Sequence, residues 1–206
     1  MKELQENLFM WSWFSKEKNY NFNSYMLLDG IDCILIDPVE IDIEEIRNIA
    51  VPSIIIITNK DHERFAEKLR DEFFAKIYAP ELDTSEMELK PDITYKDGDI
   101  LPGDLIAISI NDSKSIGETA LLWKERKILF VGDAVIGWPP GECSLLPAAK
   151  YKDTKKAKES VKELLKYDFD ILLACDGEPI LKDAKMAVER FLNRDNVNLS
   201  FPVNRN

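Results

Sequence analysis

Apolar residues recur with two different periods along the chain, and this predicts a mixed α/β protein. Short alternating or continuous apolar runs indicate β-strands, whereas apolar residues three or four positions apart indicate amphipathic helices. The expected strands cover residues 8–14, 23–28, 32–36, 53–57, 77–79, 93–95, 105–110, 120–123, 128–131 and 171–174. The expected helices cover residues 42–49, 65–74, 154–165 and 181–192.

The order of these elements predicts how they pack. Runs of strands are interleaved with single helices in both halves of the chain, which favours two sheets sandwiched between helices. Phe65, Leu69, Phe73 and Phe74 are expected on the apolar side of the second helix. No low-complexity linker divides the sequence, so residues 1–206 are expected to form a single domain with a loosely ordered tail at 195–206.

Composition narrows the class of protein. Hydrophobic residues make up 45% of the 206 positions and charged residues 32%, as in soluble globular proteins. No apolar run reaches the ~18–20 residues of a membrane span, and the N-terminus lacks a signal-peptide core. We therefore expect a cytoplasmic protein that does not bind membranes. The net charge of −11 argues against nucleic-acid binding, and the lysines of 150–166 are interpreted as a solvated helix face. A homo-oligomer is possible on this evidence.

The residues that usually bind zinc are scarce. Cys33, Cys143 and Cys175 are scattered without a CxxC pair, and they are expected to behave as small apolar residues. His62 is the only histidine, and one imidazole cannot fill a histidine-rich zinc site.

Five segments, in order along residues 8–194, resemble the metallo-β-lactamase superfamily. A strand that ends in Asp37-Pro38 is followed by Thr58 to Arg64, which has the length of the family signature T-H-x-H-x-D-H. Residues 112–117 resemble the later P-G-H-x-x-G loop, Gly132-Asp133 resembles the family G-D, and residues 175–177 resemble the closing G-H-G turn. The resemblance implies a four-layer αββα sandwich with its site at the strand ends.

The same resemblance implies that most metal ligands have been replaced. Asn59 and Asp61 stand where the first two histidines belong, and Glu63 stands where the following aspartate belongs. Arg64 and Lys114 occupy the next two histidine positions.

In the second half of the chain, one family carboxylate is kept and one family histidine is replaced. Asp133 corresponds to the bridging carboxylate, whereas Asp176 replaces the last histidine. His62 falls at a position that is not a ligand in the family, and a capping or surface role at the helix start is expected for it. Trp138, in a Gly/Pro-rich loop, would rim the pocket and stack on a ligand, or pack over the core.

The implied pocket holds four carboxylates (Asp61, Glu63, Asp133, Asp176) against two cations (Arg64, Lys114), which leaves a charge of −2 when all are ionised. Clustered carboxylates repel one another and raise their pKa values. Two interpretations remain. Some carboxylates reach solvent or share protons, which is the favoured one, or a hard cation such as Mg²⁺ or Ca²⁺ fills the gap.

Three functions follow. The leading hypothesis is a pseudoenzyme without zinc that binds an unidentified small molecule or serves a regulatory role. The alternative is a divergent hydrolase of an ester, thioester or phosphoester that uses a hard cation, or Lys114 and Arg64, in place of zinc. Its catalytic candidates are Asp133, Lys114, Asp61 and Asp176. A zinc hydrolase that relies on His62, the cysteines and the acids is the third.

Overall fold

Two β-sheets form the centre of the protein in a computed structural model that describes residues 1–194. The larger sheet has seven strands in the spatial order of the chain: β1 (Lys2–Gln5), β2 (Leu8–Ser15), β3 (Tyr20–Asp29), β4 (Asp32–Ile36), β5 (Ile54–Ile56), β6 (Lys76–Pro80) and β7 (Ile93–Tyr95). Strands β1 to β4 pair antiparallel, and β4 to β7 pair in parallel. The switch to parallel pairing brings the carboxyl ends of β4 and β5 to one edge.

The smaller sheet has five strands in the order β12-β11-β10-β9-β8. They are β8 (Ile100–Leu101), β9 (Leu105–Ser109), β10 (Thr119–Trp123), β11 (Ile128–Val131) and β12 (Ile171–Ala174). Only the β11–β12 pair is parallel among these described strands. Consequently the chain leaves β11 and β12 at the same end of the sheet.

Helices cover the outer face of each sheet. Helices α1 (Ile43–Arg47) and α2 (Ala66–Phe73) pack on the larger sheet, where Leu69 joins Leu35 and Ile55 in one apolar cluster. Helices α3 (Thr154–Ser160) and α4 (Ala184–Leu192) pack on the smaller sheet through residues such as Val188 and Phe191. The expected αββα sandwich is confirmed.

The two sheets pack face to face through a third apolar cluster. Tyr25 and Ile34 of the larger sheet meet Leu121 and Phe130 of the smaller one. The rings of Tyr25 and Phe130 pack edge to face at 5.4 Å, and the Tyr25 hydroxyl donates to the carbonyl of Ala174 across the sheets. Fully burying one such large apolar side chain stabilises the fold by about 1.5–3 kcal/mol, so this cluster holds the layers in register.

Most predicted elements are present, and the differences have local causes. Each expected strand is found with its ends shifted by three residues at most, whereas the polar β1 and the two-residue β8 gave no apolar signal. The helix expected at 154–165 becomes a 3-10 helix from Val161 to Lys166. Phe74 was expected on the apolar side of α2, which is wrong: it ends the helix in a left-handed conformation and is 90% exposed.

Two further expectations concern regions outside the sandwich core. Within residues 1–194, no helix combines the length and apolar character that a bilayer span requires. The loosely ordered tail expected at 195–206 lies outside the described residues.

Candidate functional site

A cavity of about 420 Å³ opens where strands of both sheets end. The loops after β5, β9, β11 and β12 reach it. In the smaller sheet β11 and β12 pair in parallel, and β9 runs in the same direction as β11 because both pair antiparallel with β10. Its lining residues are Glu17, Lys18, Tyr20, Phe22, Asp61, His62, Arg64, Lys114, Asp133, Leu146, Pro147, Lys150 and Asp176.

His62 and Asp37 form a buried ion pair at the base of the cavity. The Nδ1 atom of His62 lies 2.7 Å from Oδ2 of Asp37, and both side chains are buried. Asp37 also accepts hydrogen bonds from the backbone N–H and the hydroxyl of Thr58, and from the thiol of Cys175 at 3.0 Å. Burial acts to raise the pKa of Asp37, but His62 and Thr58 outweigh it and hold the pKa below its ordinary value.

The other ring nitrogen of His62 faces a second carboxylate. Its Nε2 lies 3.5 Å from Oδ1 of Asp133. Burial and the nearby Arg64 both act to lower the pKa of His62, yet the carboxylates of Asp37 and Asp133 together raise it to about 10. The imidazole is therefore cationic at neutral pH, with both nitrogens protonated.

Lys114 bridges two carboxylates. Its Nζ atom lies 2.7 Å from Asp133 and 3.0 Å from Asp61. Asp133 is buried, whereas the side chain of Asp61 is 40% exposed at the cavity mouth. Burial acts to raise the pKa of Asp133, and the adjacent His62 and Lys114 reverse this and hold it far below its usual range.

Arg64 neutralises the remaining deep carboxylate. Its Nη2 atom donates to Asp176 at 2.9 Å, and its guanidinium stacks on the ring of Phe22 at 4.6 Å. The Tyr20 hydroxyl lies 3.4 Å from the same carboxylate. Burial raises the pKa of Asp176, although Arg64 opposes the shift. A guanidinium held between a ring and a carboxylate has little freedom to leave the site.

A buried carboxyl beneath the cavity supports Asp133. Glu118 accepts hydrogen bonds from the backbone N–H groups of Asp133 and Ala134 and from the side chain of Asn59. Burial, together with repulsion from Asp133, raises the pKa of Glu118 well above its ordinary value. Burial thus favours the protonated form of Glu118, while the three N–H donors that it accepts from favour the carboxylate.

A second buried acid anchors the loop that carries Lys114. Asp83 accepts hydrogen bonds from the backbone N–H groups of Lys60 and Gly117 and from the hydroxyl of Ser115. A Cβ atom at Gly117 would lie 2.5 Å from the Asp83 carboxyl carbon, so the absence of a side chain permits this contact. Asp83 thus ties the Thr58–Arg64 segment to the loop that follows β9.

The structure brings together five of the eight residues expected in the pocket. Asp61, Arg64, Lys114, Asp133 and Asp176 all line the cavity. The prediction for Asn59 needs adjustment, because this buried side chain lies beneath the cavity against Glu118.

Two of the residues expected in the pocket do not line the cavity. The carboxylate of Glu63 points away and accepts hydrogen bonds from the backbone N–H groups of Glu88 and Leu89. The cause is a 3-10 helix at Lys60–His62, which turns successive side chains through about 120°. Trp138 is partly buried and does not line the cavity.

Sequence reasoning placed His62 at the surface or in a cap, which is also wrong. The same 3-10 turn that removes Glu63 points His62 inward. Two features of the sequence could have indicated that His62 belongs to the site: it is the only histidine of the chain, and it lies within the segment Thr58 to Arg64 that resembles the family signature. For Asp37, the corresponding feature is its position directly after an apolar strand. Tyr20 and Glu118 had no sequence signal, because their roles depend on contacts with distant parts of the chain.

Comparison with known families agrees with this geometry. A family model described as the metallo-beta-lactamase superfamily matches residues 1–193. The chain belongs to the metallo-β-lactamase superfamily. No curated protein matches its sequence.

Solved structures of this superfamily share the fold at low sequence identity. A metallo-beta-lactamase from Pontibacter korlensis has a TM-score of 0.76 at 14% identity, and the match covers 94% of this chain and 98% of that one. A metallo-beta-lactamase family protein from Thermus thermophilus gives 0.70 at 14% identity, with coverage of 91% and 78%. The metallo-beta-lactamase FIM-1 from Pseudomonas aeruginosa, in its mono-zinc form, gives 0.68 at 13% identity, with coverage of 92% of each chain.

Proposed function

We propose that this member of the metallo-β-lactamase superfamily works without zinc, as a ligand-binding or regulatory module. An ion-pair network replaces the metal in this proposal, and the cavity above it receives a small molecule. The observation that carries the proposal is that each buried carboxylate lining the cavity already has a side-chain cation in contact: Lys114 and His62 at Asp133, and Arg64 at Asp176.

The charge balance supports this proposal. Among the groups that form ion pairs in the site, the acids are Asp37, Asp61, Asp133 and Asp176, and the cationic groups are His62, Arg64 and Lys114. Four negative against three positive charges leave −1 among these paired groups. Side-chain cations therefore offset most of the negative charge of the site, which is the role that metal ions would otherwise have.

The donor set does not fit the zinc that the family implies. His62, Asp133 and Asp176 bring one candidate ligand atom each within 4.8 Å of one another, as do Asp37, His62 and Cys175. Zinc sites usually combine several imidazole or thiolate ligands, however, and His62 is the single imidazole in either group. An ion at Asp133 or Asp176 would also meet Lys114 or Arg64, at 2.7 and 2.9 Å from those carboxylates. A metal ion bound to the same carboxylate would lie close to that side-chain cation, and like charges a few ångströms apart repel.

Elemental analysis of protein purified without chelators tests the proposal. We expect zinc well below one equivalent, and no rise in the unfolding temperature on adding Zn²⁺, Mg²⁺ or Ca²⁺. The Arg64→His/Lys114→His double variant is the matched positive control, because it restores imidazole at two family positions and removes both cations. One equivalent of zinc in the unmodified protein would contradict the proposal.

A divergent hydrolase is the second candidate, and the exposed position of Asp61 favours it. Asp61 lies at the cavity mouth, where its carboxylate could reach a substrate while Lys114 stabilises negative charge. Model esters, thioesters and phosphoesters should be tested with Mg²⁺, Mn²⁺ or Ca²⁺ added. Hydrolysis that persists unchanged in both Asp133→Ala and Lys114→Ala would exclude this cavity as its source.

A further inference from the structure

We infer that the cavity receives a small organic anion, a phosphate monoester or a carboxylate attached to an apolar body, which enters past Lys18 and Lys150. The inference rests on the proposed function, since a zinc ion would change the charge of the cavity. It goes beyond that function by naming the chemical class of the ligand.

The first observation is that the deep carboxylates are already neutralised, so the free charge lies at the rim. Lys150 lines the cavity and forms no ion pair within residues 1–194, whereas Lys18 pairs with Glu17 at 2.6 Å. The ionisable lining comprises four acids, Glu17, Asp61, Asp133 and Asp176, and five cationic groups, Lys18, His62, Arg64, Lys114 and Lys150. His62 is already paired with the Asp37 carboxylate, and the other four cations balance the four acids, so Lys150, which forms no ion pair within the described residues, provides the positive charge at the rim.

The second observation is the contrast with the rest of the surface. The whole chain carries a net charge of −11, which repels anions in general. The segment that continues from the rim is nevertheless basic: Lys152, Lys155 and Lys156 are exposed and form no ion pairs within the described part of the chain. By contrast, Lys162 and Lys166 pair with acids three positions earlier. A local positive field beside a cleft raises the concentration of anions there.

The third observation is the apolar side of the cavity. Tyr20, Phe22, Leu146 and Pro147 line the cavity; the rings of Tyr20 and Phe22 pack edge to face, and the guanidinium of Arg64 stacks on the Phe22 ring. A volume of about 420 Å³ lies within the range of small-molecule sites, which are mostly apolar with a few charged groups. A ligand with a flat apolar body and one anionic group matches both these apolar residues and the basic rim.

Calorimetric titration of the metal-free protein with matched naphthalene probes tests the inference. We expect 1-naphthyl phosphate or 1-naphthoate to bind at least tenfold more tightly than 1-naphthol or 1-naphthylmethylamine. Comparing the two anions distinguishes a phosphate site from a carboxylate site. Equal affinity for the anions and the uncharged alcohol would overturn the inference, as would the absence of any binding.

Charge variants locate the binding. In Lys18→Gln/Lys150→Gln we expect the affinity for the preferred anion to fall at least fivefold. The control Lys162→Gln/Lys166→Gln removes the same charge from exposed lysines elsewhere and should change affinity less than twofold. An equal loss in both would show that only overall charge matters and would overturn the assignment to this rim. Thermal unfolding of each variant verifies that it is folded.

A chelator distinguishes this inference from the proposed function. Anion binding that disappears with EDTA while zinc is released would overturn the metal-free network. Protein without zinc that binds none of the anions would overturn the ligand class alone.

Discussion

Lys114 contacts two carboxylates of the cavity and is itself largely shielded from solvent, with 23% of its side chain exposed. Removing one partner of a buried ion pair leaves the other charge stranded, which costs ~3–5 kcal/mol when both are fully buried. Because Lys114 is partly exposed, we expect Lys114→Ala to lower the free energy of unfolding by about 2–4 kcal/mol. Urea denaturation at pH 7 measures this.

The matched control for that substitution is Lys162→Ala, at an exposed lysine paired with Glu159. Such surface pairs contribute about 0–1 kcal/mol. Adding Asp133→Asn to Lys114→Ala should recover part of the loss, because it removes the stranded charge. A Lys114→Ala variant as stable as the parent would show that the ammonium does not stabilise Asp133.

The ion pairs of His62 predict a dependence of stability on pH. Its folded pKa of about 10 exceeds the ordinary 6.5, so its stabilising contribution is complete below pH 6.5 and declines as the pH rises towards 10. The stability advantage of the parent over His62→Gln should therefore shrink by on the order of 1 kcal/mol per pH unit between pH 7 and 9.

Urea denaturation of the parent and of His62→Gln at pH 6, 7, 8 and 9 checks this trend. Comparison with the variant cancels the titration of buried tyrosines and cysteines, whose raised pKa values affect both proteins. A difference in stability that stays constant from pH 6 to 9 would contradict the assignment of a charged imidazole.

At the scale of elements, two crossing loops fix Asp176. The backbone N–H of Gly137 donates to the carbonyl of Asp176, and the N–H of Glu178 donates to the carbonyl of Gly137. A Cβ atom at Gly137 would lie 1.8 Å from the carbonyl oxygen of Glu178, so this approach requires glycine. The loop after β11 therefore sets the position of the carboxylate that follows β12.

Gly137→Ala should consequently destabilise the protein by about 3 kcal/mol or more, because the backbones must separate. Gly141→Ala is the control: its φ of +79° is strained for alanine, but nothing lies within 4 Å of the added carbon. That strain costs about 1–2 kcal/mol. Chemical denaturation of both variants compares the costs, and similar losses would show that the close approach at Gly137 relaxes easily.

At the scale of the whole molecule, the expectation of a single domain predicts one cooperative unfolding transition. Trp11 lies in the cluster outside the larger sheet, and Trp123 lies between the sheets. Variants that keep only one of these two tryptophans, with the others changed to phenylalanine, report on different layers.

In each variant, the urea midpoints from tryptophan fluorescence and far-UV circular dichroism should coincide. Tryptophan fluorescence reports on the layer that contains the remaining tryptophan, whereas circular dichroism reports on the secondary structure of the whole protein. Separate midpoints would mean that the layers unfold independently.

The sequence by itself determined the layers of this protein. Period-2 and continuous apolar runs, such as Ser53 to Ile57, depend only on local chemistry and on the need to bury apolar surface, so they predicted strands and helices well. The resemblance of the polar segments at strand exits to the superfamily motifs likewise implied that Lys114, Asp133 and Asp176 are neighbours, and all three line the cavity.

Only the tertiary structure decided which side chains meet. The 3-10 helix at Lys60–His62 points His62 into the protein and is followed by Glu63, whose side chain points away from the cavity. The sequence-based prediction had these two orientations the other way round. Tyr20 and Glu118 reach the site from strands and loops distant in sequence, so no local pattern reveals them. The protonation of His62 also depends on two carboxylates brought together by folding, because a pKa reports surroundings that exist only in the folded chain.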